Sequence, residues 1–304
     1  MKFIYKCYLQ KLLSSIHRGE RLNFLFQKYV AKSLPVKDEG FIKQLSVAKD
    51  HFDTFSKYTQ SPSNENTTYY EFGAGWDLIN PIGLSLLGIQ TLHCVDIREL
   101  VFPELLNDTI SKLYRLKRQI PFEYSLPERI PLITASNYKD ILANYFRIHY
   151  SAPMDARCTH FQESTIDLIV SNATLEHIPE RDIVTIFQEC YRIVKKGGVV
   201  SCRIDYTDHW SYFDHCISIY NFLKYSHSKW QRYNPPLHYQ NRLRHRDYLD
   251  IISQTNFQVL EDNPTPPSKE EMDALRTLEI DAYFLNKYTV EELAIKGTKL
   301  ILKK

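Results

Sequence analysis

The sequence predicts an α/β fold built on a mostly parallel, doubly wound sheet. Three observations support this prediction: a strand that runs into a glycine turn over residues 69–77, a second strand over residues 91–96, and a strand–helix–strand unit over residues 166–205. A strand, a helix and a return to a strand form a right-handed unit whose two strands lie parallel. The 304 residues, 43% hydrophobic and 24% charged, suffice to bury one such core.

The glycine turn is the first candidate functional element. Gly73 and Gly75 follow Glu71 at the end of the first strand, and glycines tolerate positive φ and the close approach of a ligand. The helix that follows begins with unpaired N–H groups. The second strand ends in Asp96, about 20 positions after the turn, where a carboxylate can accept hydrogen bonds from both ribose hydroxyls. The two elements together predict a ligand of the adenosyl type.

Two other nucleotide-binding motifs are excluded on this stretch. A nicotinamide dinucleotide site usually has the GxGxxG spacing, but Leu78 occupies the third glycine position. A P-loop needs a lysine after its glycines, and none follows Gly75. The turn is therefore expected to receive a nucleoside that has no pyrophosphate.

The downstream segment shows the expected alternation of strand and helix. Residues 166–172 form an apolar run of strand type, and apolar residues recur at helical spacing over 179–194. The predicted helix ends at the cationic and glycine-rich residues 195–198, and a further strand is predicted over 199–205.

Together these segments resemble the class I S-adenosylmethionine-dependent methyltransferases. Residues 71–75 resemble motif I, an acid followed by GxG, and Asp96 resembles the acid that ends the second strand. Residues 167–177 resemble the segment that ends in L-E-H, and residues 196–198 resemble the K-P-G-G turn, with lysine in place of proline. The chain departs from the family at Asp77, where a third glycine is common. An aspartate there can cap the helix N-terminus with its side chain.

The resemblance implies the rest of the architecture. The runs 256–260 and 298–302 are expected to form the C-terminal antiparallel hairpin that closes a seven-stranded sheet. Residues 1–66 are expected to form a helical accessory segment, and residues 67–304 the methyltransferase domain. Within that domain, residues 121–150 and 206–250 are expected to be insertions beside the active site and on the acceptor side.

The resemblance also implies the cofactor and its binding residues. The cofactor is S-adenosylmethionine, and no metal is expected. The residues implied to bind the cofactor are Glu71, Gly73, Gly75, Asp96, Ile97, Asp155, Ala156 and Asn172. Asp155 resembles the acid that bonds the adenine amino group, with a solvated loop residue as the alternative.

The loop that follows residues 199–205 contains candidates for acid–base chemistry. Ligands of open α/β sheets bind beyond the carboxyl ends of the strands, where this loop emerges. A hydroxyl acceptor must lose a proton as the new bond forms, and histidine suits this step near pH 7. His209 is the predicted base, oriented by Asp208 or Asp205. The alternative is a loop histidine with no chemical role.

The acceptor is predicted from the aromatic and polar segment 212–248. Such a mixture can stack on a sugar ring, and Arg242 and Arg244 could bind a phosphate or carboxylate. An accessory pair of helices with tyrosines in the packing face is the alternative. Residues 208–214 and 238–244 resemble methyltransferases of bacterial surface-glycan and lipid-linked sugar biosynthesis. This resemblance favours O-methylation of a saccharide or glycan precursor. A lipid or polyketide-like acceptor and a non-catalytic scaffold are the alternatives.

The N-terminal arm, residues 1–33, differs from the rest of the chain. It contains seven Lys or Arg and one acid, with apolar residues at helical spacing. Two interpretations remain open: an accessory helix that packs on the domain or covers the cofactor cleft, and an amphipathic helix that lies on anionic lipid.

Composition limits the partners and the compartment. The six cysteines are scattered and form no CxxC pair, which is typical of reduced thiols in a cytoplasmic protein and offers no zinc site. No run of about 20 apolar residues suggests a membrane span. A net charge of +2 gives no electrostatic footprint for duplex nucleic acid. The residues after Asn172, Ala173 and Thr174, lack the prolines and aromatic of DNA amino-methyltransferases. The sequence does not predict an oligomeric state.

Overall fold

The structure is a computed structural model that describes residues 2–14, 19–30, 33–59 and 66–304. The strands are β1 (Thr68–Phe72), β2 (Thr91–Val95), β3 (Ile148–Ser151), β4 (Ile166–Asn172), β5 (Val194–Asp205), β6 (Gln258–Thr265) and β7 (Gly297–Lys303). The helices are α1 (Lys2–Ser14), α2 (Gly19–Tyr29), α3 (Asp38–Tyr58), α4 (Ile79–Leu86), α5 (Pro103–Arg115), α6 (Tyr138–Phe146), α7 (Glu180–Ile193), α8 (His227–Trp230), α9 (His245–Ser253), α10 (Lys269–Arg276), α11 (Ala282–Lys287) and α12 (Val290–Ala294).

In the described part of the chain seven strands form one sheet, in the order β3-β2-β1-β4-β5-β7-β6. The five strands from β3 to β5 run parallel, whereas β7 pairs antiparallel with both β5 and β6. The predicted fold class, including the C-terminal antiparallel pair, is confirmed. The strand order reverses between β1 and β4, and ligands of such sheets bind in the crevice above this point.

Both faces of the sheet are covered, as a doubly wound fold requires. Tyr69 and Tyr70 are neighbours on β1 and are fully buried, yet they belong to different hydrophobic clusters, because side chains alternate across a strand. The first cluster contains residues of α3, α4, α5 and α6, and the second contains residues of α7 and α9. Of the six cysteines, Cys94, Cys190 and Cys202 are buried in these clusters.

The expected boundary at residue 66 does not divide the core. Phe41, Leu45 and Ala48 of α3 are fully buried in the same cluster as Tyr69. Because α3 covers one face of the sheet, it belongs structurally to the domain, and only α1 and α2 remain as accessory helices.

The expectation that residues 121–150 form an insertion is wrong for residues 138–150. Residues 138–146 form α6, and residues 148–151 form β3, the edge strand that pairs with β2. Both are core elements, since Leu142 and Ile148 are fully buried. The alternation in β3 is only four residues long and contains two polar side chains, so its sequence pattern is weak. The excursion is therefore limited to residues up to 137.

The helix end predicted at residues 195–198 is also shifted. Helix α7 ends at Ile193, and β5 begins at Val194 and includes the two glycines. Gly197 has a φ of +81°, and the pairing of β4 with β5 shifts register between Ile166 and Leu168. The cationic glycine segment is thus an irregular first part of the strand, because glycine permits the backbone turn inside the ladder.

Helix α1 packs on the segment that follows β5. Phe3 and Cys7 are buried in a third cluster with Trp210, and the Phe3 ring lies 5.8 Å from that of Tyr233. The other face of α1 is exposed, with Tyr5 79% and Leu12 61% accessible. The predicted stripe is therefore divided between a packed and an open face. Ile16, Arg18 and Lys32 of the arm lie outside the described residues.

None of the described helices combines the length and apolar character needed to cross a membrane.

Candidate active site

The glycine turn follows β1 and opens into the crevice. Gly73 and Gly75 have φ values of +74° and +78°, which glycine adopts readily. A Cβ at Gly73 would collide with the Thr174 side chain, whereas a Cβ at Gly75 would meet no described residue within 4 Å. The Gly73 N–H donates to the Val95 carbonyl at 2.9 Å. The turn is thus fixed against the neighbouring strand on one side and open to a ligand on the other.

Asp96 lies directly across from this turn and is only 7% exposed. Its Oδ2 accepts a hydrogen bond from the Gly75 N–H at 3.4 Å, and its Oδ1 accepts one from the Arg98 N–H at 3.1 Å. The Met154 N–H donates to the Asp96 carbonyl at 2.8 Å, which brings the loop with Asp155 alongside. The carboxylate is therefore held in place by backbone donors at the end of β2.

The helix after the turn begins later than in a turn with a third glycine. Leu78 occupies the N-cap position of α4 in the left-handed region, with a φ of 51°. The Ile79 N–H donates to Asp77 Oδ1 at 3.4 Å, so the aspartate does satisfy a helix N–H, as predicted. Burial raises the pKa of Asp77 to about 6. Asp77 thus occupies the position where a third glycine is common, and its side-chain oxygen accepts from a helix N–H.

Glu71 is a buried acid beneath the turn, 2% exposed. Burial raises the pKa of Glu71 to about 8, and a hydrogen bond from the Tyr69 hydroxyl offsets this only in part. Within the described residues no ion pair reaches this carboxyl. At pH 7 a carboxyl with this pKa is mostly protonated and uncharged, and a cationic ligand group beside Glu71 would favour its charged form.

One cavity of about 800 Å³ joins these groups. All the residues predicted to bind the cofactor line it: Glu71, Gly73, Gly75, Asp96, Ile97, Asp155, Ala156 and Asn172. Ile97 is 58% exposed, which leaves an apolar side chain beside the acid. Asp155 differs from the other residues because Arg157 donates to both of its oxygens, at 3.0 Å from Nε and 2.7 Å from Nη2.

His209 lines the same cavity beyond the end of β5. Its Nε2 lies 3.4 Å from Asp205 Oδ2, an ion-pair distance without good hydrogen-bond geometry. Burial acts to lower the pKa of His209, but the contact with Asp205 and its charge outweigh burial and raise it. Asp205 also accepts hydrogen bonds from Thr207 and Tyr212, and its own pKa is lowered to about 2 against the effect of burial.

Asp208, the other predicted orienting acid, has a structural role instead. Its side chain is fully buried and accepts hydrogen bonds from the Trp210 N–H at 2.9 Å and from Asn221 Nδ2 at 3.1 Å. Burial raises the pKa of Asp208 to about 6. It caps the short helical turn that contains His209, since an aspartate preceding such a turn satisfies its free N–H. Of the two predicted acids, only Asp205 faces the imidazole.

Two neighbouring residues received no catalytic role from the sequence. Glu176 is 1% exposed, and in the described structure neither carboxylate oxygen has a hydrogen-bond partner; burial raises its pKa to about 8. The Nδ1 of His177 lies 2.7 Å from the Tyr239 carbonyl, and the residue is exposed on the cavity wall. Ligand atoms of Glu176, His177 and His209 lie within 4.8 Å of one another, a set that could hold a divalent cation. The L-E-H motif is the sequence signal for this cluster.

Arg242 and Arg244 do not line the cavity, and their predicted role in acceptor binding is wrong. Arg244 is fully buried and donates to the carbonyls of Tyr206, Leu293 and Ile295 at 2.7, 2.8 and 2.5 Å. Arg242 donates to the carbonyls of Phe222 and Tyr225. Guanidinium groups that are bonded to backbone oxygens in this way join loops together and do not face the cavity.

Comparison with known proteins gives one family match. Residues 134–202, which contain α6, β3, β4 and α7, match the family described as "Methyltransferase domain". Comparison with curated proteins gives no match.

Several solved structures are similar to the chain at low identity. A SAM-dependent methyltransferase from Methanosarcina mazei is 12% identical over 83% of this chain and 96% of its own, with a TM-score of 0.44. Geranyl diphosphate C-methyltransferase from Streptomyces coelicolor is 10% identical over 90% and 89%, with a TM-score of 0.46. Phosphoethanolamine N-methyltransferase 2 from Haemonchus contortus is 13% identical over 92% and 59%, with a TM-score of 0.45.

The matched family, the strand order and the residues at the strand ends agree with one another. The glycine turn, Asp96 and the carboxyl ends of β1 and β4 meet at the reversal of strand order. Strand β4 lies within the segment that matches the family. The match over residues 134–202 supports a methyltransferase enzyme that uses S-adenosylmethionine as its cofactor.

Proposed function

We propose that this enzyme methylates a hydroxyl oxygen of a polar acceptor, with a saccharide or glycan precursor as the acceptor class. The observation that supports this proposal is the position of the His209–Asp205 pair on the same cavity as the nucleoside-binding turn. An amine acceptor needs no base of this kind, whereas a hydroxyl must lose its proton during transfer.

The residues of the turn fit the cofactor. Asp96 would accept hydrogen bonds from the ribose hydroxyls, and the open side of Gly75 leaves room for the nucleoside. Glu71, buried without an ion pair among the described residues, suits a cationic group of the ligand. When bound, the cofactor supplies an electrophilic methyl group, so that the protein chiefly has to orient the acceptor and move one proton.

His209 is the proposed base, with Asp205 as the residue that positions it. A proton on Nε2 faces Asp205, which leaves the lone pair of Nδ1 to accept the hydroxyl proton. The resulting imidazolium is stabilised by the carboxylate, in accord with the raised pKa of His209. The Tyr212 hydroxyl donates to the same carboxylate and fixes its orientation.

The acceptor side of the cavity combines aromatic and polar side chains. Tyr212, Phe213 and Tyr239 line it together with His177 and His238. Ring faces beside hydrogen-bonding groups suit a sugar better than a purely apolar chain. A lipid or polyketide-like acceptor is the alternative. An enzyme for such an acceptor would use the same cofactor contacts and would differ only in the residues on this side of the cavity.

The test is transfer of a radiolabelled methyl group from S-adenosylmethionine to saccharides with free hydroxyls. We expect His209→Asn to lower turnover by about 100-fold or more, the usual contribution of a general base, with binding of S-adenosylhomocysteine unchanged. His215→Asn is the matched control, because His215 is exposed on the same segment and lies off the cavity. Normal turnover of His209→Asn, or transfer to amines but to no hydroxyl, would refute the proposal.

We further propose, as a separate point, that α1 and α2 rest on an anionic membrane surface. The open face of these helices exposes Tyr5, Tyr8, Leu12 and Tyr29, by 79%, 56%, 61% and 64%. Apolar and basic residues together favour binding to anionic lipid. Co-sedimentation with phosphatidylglycerol vesicles at physiological salt tests this. We expect binding that Tyr5→Ser with Leu12→Ser reduces; an absence of wild-type binding removes the proposal.

A further inference from the structure

Lys6 is a buried cation at the acceptor end of the cavity. It lies on α1, is 8% exposed and lines the cavity of about 800 Å³. Its Nζ lies 4.3 Å from the ring centroid of Phe213 and 5.8 Å from that of Phe26. Across residues 2–14, 19–30, 33–59 and 66–304, no hydrogen bond or ion pair reaches this ammonium group. Lysines usually extend their charged ends into water, so this burial is unusual.

The aromatic contacts compensate the buried charge only in part. A cation over a ring is attracted by the electron density of its face, but this attraction is weaker than that of a carboxylate. Burial alone lowers the pKa of Lys6 to about 8, so the group is mostly protonated at neutral pH. No carboxylate of the described residues contributes to this shift. A buried and protonated lysine without an acid is suited to a negative ligand.

His238 is a second unsatisfied group at the same place. Its Nε2 is buried and has no hydrogen-bond partner in the described structure, and its ring lies 4.3 Å from that of Trp210. Burial, followed by the charges of His209, His177 and Lys6, lowers the pKa of His238 far below its ordinary value. The imidazole is therefore neutral with one N–H to donate. It lies close enough to Lys6 for the ammonium charge to lower its pKa.

The two ends of the cavity differ in charge. Glu71, Asp77 and Asp96 line the end that holds the glycine turn. At the other end, Asp205 and Glu176 raise the pKa of His209 but do not affect that of Lys6. The ammonium group thus supplies a positive charge at this end of the cavity, separate from the carboxylates that act on the proposed base.

Helix α1 holds Lys6 in this position. Phe3 packs against Trp210 and Tyr233, and the Cys7 thiol lies 3.5 Å from the Arg232 carbonyl. The same segment carries His238, so the two groups are fixed relative to each other. The accessory helix therefore completes the acceptor side of the cavity.

We propose that Lys6 and His238 bind an anionic oxygen group of the acceptor, either a phosphate ester or a carboxylate, beside the hydroxyl that is methylated. This inference rests on the proposed function and narrows its substrate class to an acidic or phosphorylated acceptor. It assigns to α1 the anion-binding role that the sequence suggested for Arg242 and Arg244.

The test is isothermal titration of the full chain, saturated with S-adenosylhomocysteine, with inorganic phosphate, glucose 1-phosphate, glucuronate and glucose. We expect saturable binding of phosphate and of at least one of the two sugar anions, with glucose at least about tenfold weaker. Tighter binding of glucose 1-phosphate assigns a phosphate ester, and tighter binding of glucuronate assigns a carboxylate.

Variants separate the role of Lys6 from general damage. Lys6→Met and His238→Gln should each weaken phosphate binding by about tenfold or more, and Lys6→Arg should retain it. Lys49→Met is the matched control, because Lys49 pairs with Asp53 on the surface of α3. S-adenosylhomocysteine should bind to all variants equally.

The outcomes are distinguishable. If wild type binds S-adenosylhomocysteine but shows no saturable phosphate binding, or binds glucose as tightly as both sugar anions, the inference fails while the proposed function stands. It also fails if Lys6→Met and His238→Gln both bind phosphate like wild type. If wild type does not bind S-adenosylhomocysteine, the proposed function itself fails.

Discussion

Replacement of Asp96 by asparagine tests the cofactor site most directly. The substitution keeps the size of the side chain, and the amide oxygen can still accept from the Arg98 N–H at 3.1 Å. The amide nitrogen then faces the Gly75 N–H, now 3.4 Å from Oδ2, so that two donors oppose each other. The negative charge that would receive two ribose hydroxyls is lost.

The expected effect on affinity follows from these bonds. A hydrogen bond to a charged group contributes about 1.5 kcal/mol or more, so two of them contribute about 3 kcal/mol. At about 1.4 kcal/mol per factor of ten, the Kd of S-adenosylhomocysteine should rise by about 100-fold. The opposed donors should lower the free energy of unfolding by about 1 kcal/mol, because one backbone N–H loses its acceptor.

Isothermal titration with S-adenosylhomocysteine and urea unfolding measure the two effects. Asp155→Asn is the control, since its side chain is 37% exposed and already paired with Arg157; we expect its Kd to change by less than about tenfold. An Asp96→Asn variant that binds like wild type would refute the assignment of this carboxylate to the ribose. A larger loss for Asp155→Asn than for Asp96→Asn would contradict the geometry described here.

Three further predictions concern stability and the acid–base cluster. Arg244→Met should lower the free energy of unfolding by about 3 kcal/mol, because three buried carbonyls lose their donor; urea unfolding that matches wild type would contradict this role. EDTA should leave methyl transfer unchanged, since His209 needs a free ring nitrogen to act as a base; activity lost on chelation and restored by Zn²⁺ or Mn²⁺ would instead assign a metal to the cluster with Glu176. Burial lowers the pKa of His51 to about 3. Below pH 6.5 this histidine is therefore protonated in the unfolded chain but stays neutral in the folded chain. Its contribution should lower the free energy of unfolding by up to about 1.4 kcal/mol per pH unit as the pH drops from 6.5 towards 3. In His51→Gln, the free energy of unfolding measured in urea should fall less steeply with decreasing pH across this range. An unchanged pH dependence would show that the histidine does not remain neutral.

The half of the site that is proposed to bind the cofactor was predictable because its residues are close in the sequence. Glu71, Gly73 and Gly75 share one turn, and Asp96 ends the next strand, so two local patterns and the rule for parallel sheets bring them together. The weak pattern of β3 shows the limit of this approach. A short edge strand with exposed polar residues is defined by its pairing with β2, which no local pattern records.

The acceptor half was predicted less well because its geometry depends on distant contacts. Asp205 and Asp208 are equally close to His209 in sequence, yet one faces the imidazole and the other caps a turn. Arg244 resembles a ligand-binding residue until its three carbonyl partners are known. Lys6 lies more than 200 positions before His238, with which it lines the cavity.

The sequence by itself determined the α/β class, the parallel arrangement of the main strands and the glycine turn that is proposed to bind the nucleoside, because periodicity, glycine and a strand-ending acid act over a few residues. Only the tertiary structure decided which acid faces the histidine, which cations are bonded to backbone carbonyls and which helix lines the cavity. These depend on burial and on partners far along the chain. A side chain's charge and chemistry are properties of its type, whereas its availability for binding is a property of the packing around it.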